Sequence, residues 1–166
     1  MTRKRKVDPM GPIWELYVDG ASNSRGAGVG IILTNPDGEK LRYALHYGFQ
    51  ASNNEAEYEA LIVGIELEQK LGSGNLRIHC DSQLIVNQVK GDYTAKEPNM
   101  VAYLAKTNSK LDAFSWIEIL QIPREQNLEA DALARLGSGL RLRWIGDRTN
   151  RISSTGIRLW RRSRDY

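Results

Sequence analysis

The chain has 166 residues, 41% of them hydrophobic and 26% charged, proportions that fit one globular domain with tails and exclude a disordered or collagenous chain. A single cysteine, Cys80, excludes an intramolecular disulfide framework, and no apolar run approaches the roughly 18 residues of a membrane span. The net charge of +3 is unevenly divided: residues 1–13 carry four Lys/Arg and one acid, residues 140–166 carry eight Arg and two acids, and the body between is acidic at −6, so the overall basicity is no evidence for a nucleic-acid partner.

Residues 1–13 read as a basic disordered arm around Arg3 to Lys6, without the apolar core of a secretory signal. With the lone cysteine, this predicts an intracellular setting, cytoplasmic or nuclear, and no membrane association. Trp14, Leu16 and Val18 then alternate with Glu15, Tyr17 and Asp19, the period of a half-buried strand that the turn pair Asp19-Gly20 would end. Ala21 to Gly28, rich in Gly, Ser and Asn, reads as a hairpin loop. Val29 to Leu33 is a buried strand, Asn35-Pro36-Asp37-Gly38 a turn, and Lys40 to Tyr47 a third strand. The short connections predict an antiparallel meander. No helix follows the Gly-rich stretch and no Gly-Lys-Ser/Thr occurs, which excludes dinucleotide and P-loop fingerprints.

Ser52-Asn53-Asn54-Glu55 opens a helix with capping residues and an acidic first turn, and Leu61, Ile62, Ile65 and Leu71 recur at helical spacing up to Gly72. Glu57 precedes Leu61 by four residues, which puts it on the apolar face. Glu55, Glu59 and Glu66 read as solvated or first-turn positions, and Glu68 as a last-turn side chain reaching water. Leu76 to Ser82 is a second alternating strand that closes on an acid, Asp81. A helix through Leu84, Ile85, Val86 and Val89 stops at Gly91, and another runs from about Glu97 to Leu111 with Pro98 in its first turn. Phe114 to Ile122 reads as a strand ended by Pro123, and Leu128 to Leu136 as a last helix, with Asp131 on its apolar side and Gly137-Ser138-Gly139 closing the domain. Strands alternating with helices after the meander imply parallel pairing with right-handed crossovers. The first strand would then lie centrally, beside the one ending in Asp81.

Four acids break apolar patterns: Asp19 and Asp81 end strands, Glu57 and Asp131 interrupt helix faces. Each alone has an ordinary explanation; a turn-forming Asp, for instance, hydrogen-bonds its own backbone. Gathered in one dry cleft they would repel and raise one another's pKa values, which divalent cations resolve. Oxygen ligands without a Cys/His cluster favour Mg2+ or Mn2+ over zinc. Two such ions about 3.5–4 Å apart serve in-line phosphodiester chemistry, activating the attacking water and stabilising the leaving oxygen.

Tyr-Val-Asp19-Gly-Ala-Ser, Ser-Asn-Asn-Glu-Ala-Glu57-Tyr-Glu-Ala-Leu, His-Cys-Asp81-Ser-Gln-Leu and Asn-Leu-Glu-Ala-Asp131-Ala-Leu-Ala-Arg resemble, in order, the four motifs of type 1 ribonuclease H domains. The wording is most similar to the domains of plant long-terminal-repeat retrotransposon polyproteins and their domesticated relatives. The resemblance covers Trp14 to Gly139. It implies an α/β, ribonuclease H-like fold: a five-stranded mixed sheet, three antiparallel strands then two parallel, flanked by helices. It implies a metal-dependent endonuclease that hydrolyses the RNA strand of an RNA/DNA hybrid to 5′-phosphate and 3′-hydroxyl products. Asp19, Glu57, Asp81 and Asp131 would be the catalytic residues and the ligands of two Mg2+ ions, for which Mn2+ can substitute. Ser52, Asn53, Asn54 and Gln83 match positions that contact the hybrid; an amide both donates to and accepts from a 2′-hydroxyl. Helix capping accounts for one of the two asparagines, not both. A place in, or descent from, a reverse transcriptase polyprotein is also implied.

Two features depart from the bacterial pattern. The loop from Gln121 to Asn127 has no histidine, leaving Arg124 and Glu125 as the polar candidates there. The only histidines, His46 and His79, fall in strands and read as packed or surface residues. Around Gly91 only Lys90 and Lys96 are basic, so no basic protrusion grips the hybrid. These departures leave a rival reading, a non-catalytic nucleic-acid-binding remnant of a retroelement ribonuclease H domain. A transposase or integrase is a further rival. It would need its Glu on a late helix, whereas here the Glu precedes the second Asp. Residues 140–166 read as an arginine-rich, disordered tail.

Overall fold

The computed structural model describes Pro9 and residues 11–24, 26–48, 50–72, 74–139, 151–152 and 157–162. Most of the N-terminal arm and much of the arginine-rich tail therefore lie outside the described residues. The elements in chain order are β1 (Trp14–Asn23), β2 (Gly26–Thr34), β3 (Lys40–Tyr47), α1 (Asn53–Leu71), β4 (Asn75–Cys80), α2 (Gln83–Lys90), α3 (Pro98–Leu111), β5 (Trp116–Gln121), a 3-10 turn (Arg124–Gln126), α4 (Leu128–Ser138), β6 (Arg151–Ile152) and β7 (Arg158–Arg162). All five expected strands form, in the order β5-β4-β1-β2-β3. β1, β2 and β3 are an antiparallel meander, and β1, β4 and β5 pair in parallel. The order matches the ribonuclease H fold. Among the described residues no helix is long and apolar enough to cross a membrane.

Alternation decides which side chains face which layer. Leu16 and Val18 of β1 meet α1, and the main core gathers them with Ile31, Leu33, Leu45, Leu61, Ile65, Leu76 and Ile78, all fully buried. A smaller apolar cluster on the opposite face joins Ile32 and Ala44 to Ala130 and Leu133 of α4, with Tyr17 and Ile157 against it. The acids at strand ends are thus bounded by α1 on one side and α4 on the other.

Four local expectations are corrected. β1 does not stop at Asp19-Gly20 but continues to Asn23, which pairs with Gly26, so most of the supposed Gly-rich loop is sheet. Its glycines serve packing: a Cβ on Gly28 would lie 2.0 Å from the Ala134 carbonyl oxygen, and one on Gly30 2.0 Å from that of Ala130. Glu59 and Glu68 are buried at 2% and 0% exposure rather than solvated, because α1 packs on the sheet and on α3 at once. The Tyr103 hydroxyl donates to Glu59 at 2.8 Å, and the Gly74 amide to Glu68 at 3.4 Å. The described part of the tail is not unstructured: β7 adds in parallel to the open edge of β3, and β6 pairs with β7, extending the sheet to seven strands. An edge strand leaves unpaired backbone groups, and the tail satisfies them here. The Arg158 guanidinium lies 5.9 Å from the Tyr43 ring centre.

Gly30→Ala puts a methyl group against α4 backbone, with the Ala130 oxygen at 2.0 Å and the Ala134 nitrogen at 2.6 Å, so the helix must shift. Urea unfolding should show a loss of about 1–3 kcal/mol, the usual range for overpacking. An unchanged midpoint would mean that α4 is not seated on β2 in this way.

Candidate active site

The register of β1 and β4 sets the first pair of acids. Val18 is opposite Cys80 at the last rung of the parallel ladder, so Asp19, midway along β1, and Asp81, just past the end of β4, lie side by side. Glu57 arrives from α1, whose start is fixed by a reciprocal cap. The Glu55 amide donates to Ser52 Oγ at 3.1 Å, and the Ser52 amide donates to Glu55 Oε1 at 3.0 Å. The helix can approach because Gly20 has no side chain: a Cβ there would sit 2.4 Å from the Ala56 carbonyl and 2.6 Å from the Glu57 nitrogen. Oxygens of Asp19, Glu57 and Asp81 lie within 4.8 Å of one another. Asp131, from α4, is near enough to Asp19 to perturb its carboxyl but stands outside that group of three, and its carboxylate is ion-paired with Arg135 one turn along the helix.

Burial makes the cluster electrostatically uncomfortable. Asp19 and Glu57 are only 5% and 8% exposed. Burial, with the charges of Asp81 and Asp131 nearby, pushes the Asp19 carboxyl up to about 6 against a hydrogen bond with Glu57. Glu57 is pushed up to about 10, first by burial and then by its hydrogen bond to Asp19 and the charges of Asp19 and Asp81; the Gly20 amide works the other way. Arg135 holds Asp131 below the usual carboxylate range. Without a cation, Glu57 therefore keeps its proton and shares it with Asp19. Hard oxygen donors, close together and reluctant to ionise, fit Mg2+ or Mn2+, whose charge would take the place of that proton.

Asn127 was not singled out from the sequence. It is 2% exposed, and its Nδ2 donates both to the Val18 carbonyl at 2.9 Å and to Asp81 Oδ2 at 3.1 Å. An Asn immediately before a helix reads as a cap, but this side chain makes no capping bond and crosses to the sheet instead. It ties the α4 turn, β1 and Asp81 together.

The expected substrate residues stand exposed at the N-terminal ends of α1 and α2. Ser52 is taken up as the cap of α1, which frees both asparagines from that task. Asn53 Oδ1 accepts from Ser22 Oγ at 2.7 Å, Asn54 faces solvent, and Gln83 Nε2 donates to the Tyr93 hydroxyl at 3.3 Å. The histidines are packed away from the acids: His46 Nδ1 lies 3.0 Å from the Gly137 carbonyl, and His79 stacks on Tyr17 at 4.2 Å with Nε2 2.7 Å from Glu15. Cys80 lies beneath Glu57, its Sγ 4.0 Å from Oε2, and burial pushes its thiol well up, so it is no nucleophile. In the loop before α4, Arg124 is close enough for its charge to help lower Asp131.

Comparison with known proteins identifies the family of the fold. The profile of the family described as "Reverse transcriptase-like" matches residues 17–137. "Ribonuclease HI" of Halobacterium salinarum is 34% identical over 120 residues, covering 71% of this chain but only 60% of that protein. The crystal structure of RNase H1 from the same archaeon superposes with a TM-score of 0.71 at 32% identity, over 75% of this chain and 96% of that one. LC11-RNase H1, solved in complex with RNA/DNA hybrid, gives a TM-score of 0.66 at 33% identity, over 74% and 94% of the two chains.

The raised carboxyls give a pH signature in metal-free protein. A carboxyl whose folded pKa exceeds its unfolded value stabilises fully below the unfolded pKa, and that contribution is lost as pH rises through the folded one. For Glu57 the window runs from the ordinary 4.5 to about 10. Glu57→Gln stays neutral throughout. In EDTA its stability relative to the parent chain should therefore grow as pH rises, to about 1 kcal/mol or more by pH 8, the equivalent of one pKa unit. Parallel pH profiles for the two proteins in urea would contradict the buried, coupled site.

Proposed function

We propose a function from one premise: the chain belongs to the reverse transcriptase-like family, over residues 17–137, with a domain of the ribonuclease H type. It is a divalent-cation-dependent endonuclease that hydrolyses the RNA strand of an RNA/DNA hybrid, leaving 5′-phosphate and 3′-hydroxyl ends. The observation that carries this reading is the convergence of Asp19, Glu57 and Asp81 within 4.8 Å, two of them buried, with Asp131 at their margin.

Two Mg2+ ions, or Mn2+ in their place, held by Asp19, Glu57, Asp81 and Asp131, would supply activation of water and stabilisation of charge on the leaving oxygen. The chain's own groups do the rest. Asn127 fixes the orientation of Asp81, and the Gly20 amide steadies Glu57. The apolar walls keep the acids poorly hydrated, which strengthens their pull on any cation. Asn53, Asn54 and Gln83 read the 2′-hydroxyls of the RNA strand, and Ser52 holds the start of α1 in register with them. Residues 14–139 act as the nuclease body, and the basic stretches 1–13 and 140–166 as arms for backbone phosphates. The motif wording supports an origin in a long-terminal-repeat retrotransposon polyprotein beside a reverse transcriptase. The reading puts the chain inside the cell, in cytoplasm or nucleus, where a reduced Cys80 is at home.

Labelled RNA/DNA hybrid incubated with the purified chain and Mg2+ or Mn2+ should be cut in the RNA strand, while EDTA and an all-DNA duplex of the same sequence give no product. Asp19→Asn and Asp81→Asn should each lower the rate by at least about a hundredfold, the scale of removing a group that stabilises transition-state charge. Undiminished cleavage by either variant would sink the metal centre; binding without cleavage by the parent chain would select the non-catalytic remnant. Deleting residues 1–10, which carry +3, should make the slope of log affinity against log salt shallower. Superimposable binding curves would mean that the N-terminal arm is idle.

A further inference from the structure

Arg135 has no part in the reading above, yet it makes the only ion pair to any of the four acids among the described residues. Asp19, Glu57 and Asp81 form a compact set of oxygens without it. Asp131 lies close enough to Asp19 for the two carboxyls to perturb each other, so it stands at the margin of that set, but its carboxylate is engaged by the Arg135 guanidinium. We infer that Arg135 is a positioning residue that holds Asp131 in reserve, its guanidinium on Oδ2 biasing Asp131 against joining a cation centre. The inference deepens the metal-centre reading and rests on it.

The geometry gives the arrangement its direction. Arg135 and Asp131 are four residues apart on α4 and so face the same way. The arginine side chain is 71% exposed and that of Asp131 20%, so the pair opens into water rather than into the core. Exposed pairs of this kind are weak, which makes Arg135 a bias and not a lock; its loss corresponds to at most about a fivefold change in an equilibrium. Two effects act with the same sign. The guanidinium competes for the lone pairs that a cation needs, and its own positive charge repels a cation placed there. An arginine cannot lose its proton in the working range, so the bias is independent of pH, as a histidine's would not be. Asp19, Glu57 and Asp81 have no cationic partner among the described residues. A position that depends on Asp131 is therefore weaker than one built from Asp19, Glu57 and Asp81.

The bland alternative is an ordinary helix-surface ion pair that supports α4 and nothing else. Mn2+ binding separates the two, measured on the full chain without nucleic acid by calorimetry and by the electron-spin signal of free Mn2+. The parent chain should show a tight class of sites and a weaker one. Arg135→Ala should strengthen the weaker class by about two- to fivefold and leave the tight class unchanged, the range expected for an exposed pair. Arg135→Lys, which keeps the charge, should follow the parent, and Asp131→Asn should lose the weaker class. Isotherms for Arg135→Ala that superimpose on the parent, or weaken, overturn the inference while leaving the metal centre standing. No Mn2+ binding by the parent chain overturns both. Arg135 is exposed and outside both apolar clusters, so these variants keep the fold.

Discussion

Two helices touch this sheet backbone to backbone, and the acidic centre depends on that contact. Gly20 admits the Ala56-Glu57 peptide of α1, while Gly28 and Gly30 admit the carbonyls of Ala134 and Ala130 on α4. Gly137 returns the favour from the helix side, where a Cβ would lie 2.1 Å from the Leu45 oxygen. Any side chain at these places would lift a helix by a sizeable fraction of an ångström. A constellation of ligands tolerates only about 0.5 Å of misplacement. The glycines are thus what brings Glu57 and Asp131 to acids that the sheet alone has already paired.

The arrangement works against the stability of the empty protein. Three carboxylates lie with oxygens within 4.8 Å of one another, two of them buried, and the molecule answers by leaving a proton on Glu57. Strain of this kind persists only where the surrounding structure is stable enough to impose it. Here the imposing structure is the apolar core between the sheet and α1, in which Leu16, Val18, Leu61 and Ile65 are fully buried. Asn127 contributes from the other side, since one amide group satisfies the Val18 carbonyl and restrains Asp81 together. A cation relieves the repulsion that the fold creates, so the same burial that penalises the empty state favours the loaded one.

Much of this was legible from residue order because the acids contradict their surroundings. Asp81 closes an apolar strand, Asp19 stands where the apolar alternation of β1 breaks off, and Glu57 interrupts an apolar helix face; each alone has an ordinary explanation, and together they point to a shared site. The parallel pairing of β1 and β4 follows from the strand-helix alternation between them. Other features could not be read locally. The glycines of β2 carry turn propensity by themselves, and what they serve is a helix more than a hundred residues away in the chain, Gly28 against Ala134. Glu59 and Glu68 looked solvated because helical periodicity assumes one buried face, whereas α1 is covered by sheet and helix together. Asn127 hid in a capping position, its actual partner being Val18, 109 residues away. β7 lacks any sustained period because a strand recruited to the open edge of β3 through its backbone has little need of one.

The central claim is that the seated helices make a cation site between the middle of β1 and the end of β4. Its most direct test is a crystal structure grown with Mn2+ and measured at a wavelength where manganese scatters anomalously. The account predicts an anomalous difference peak bounded by carboxylate oxygens of Asp19, Glu57 and Asp81. A well-ordered site with no peak among those three side chains, at millimolar Mn2+, would contradict it.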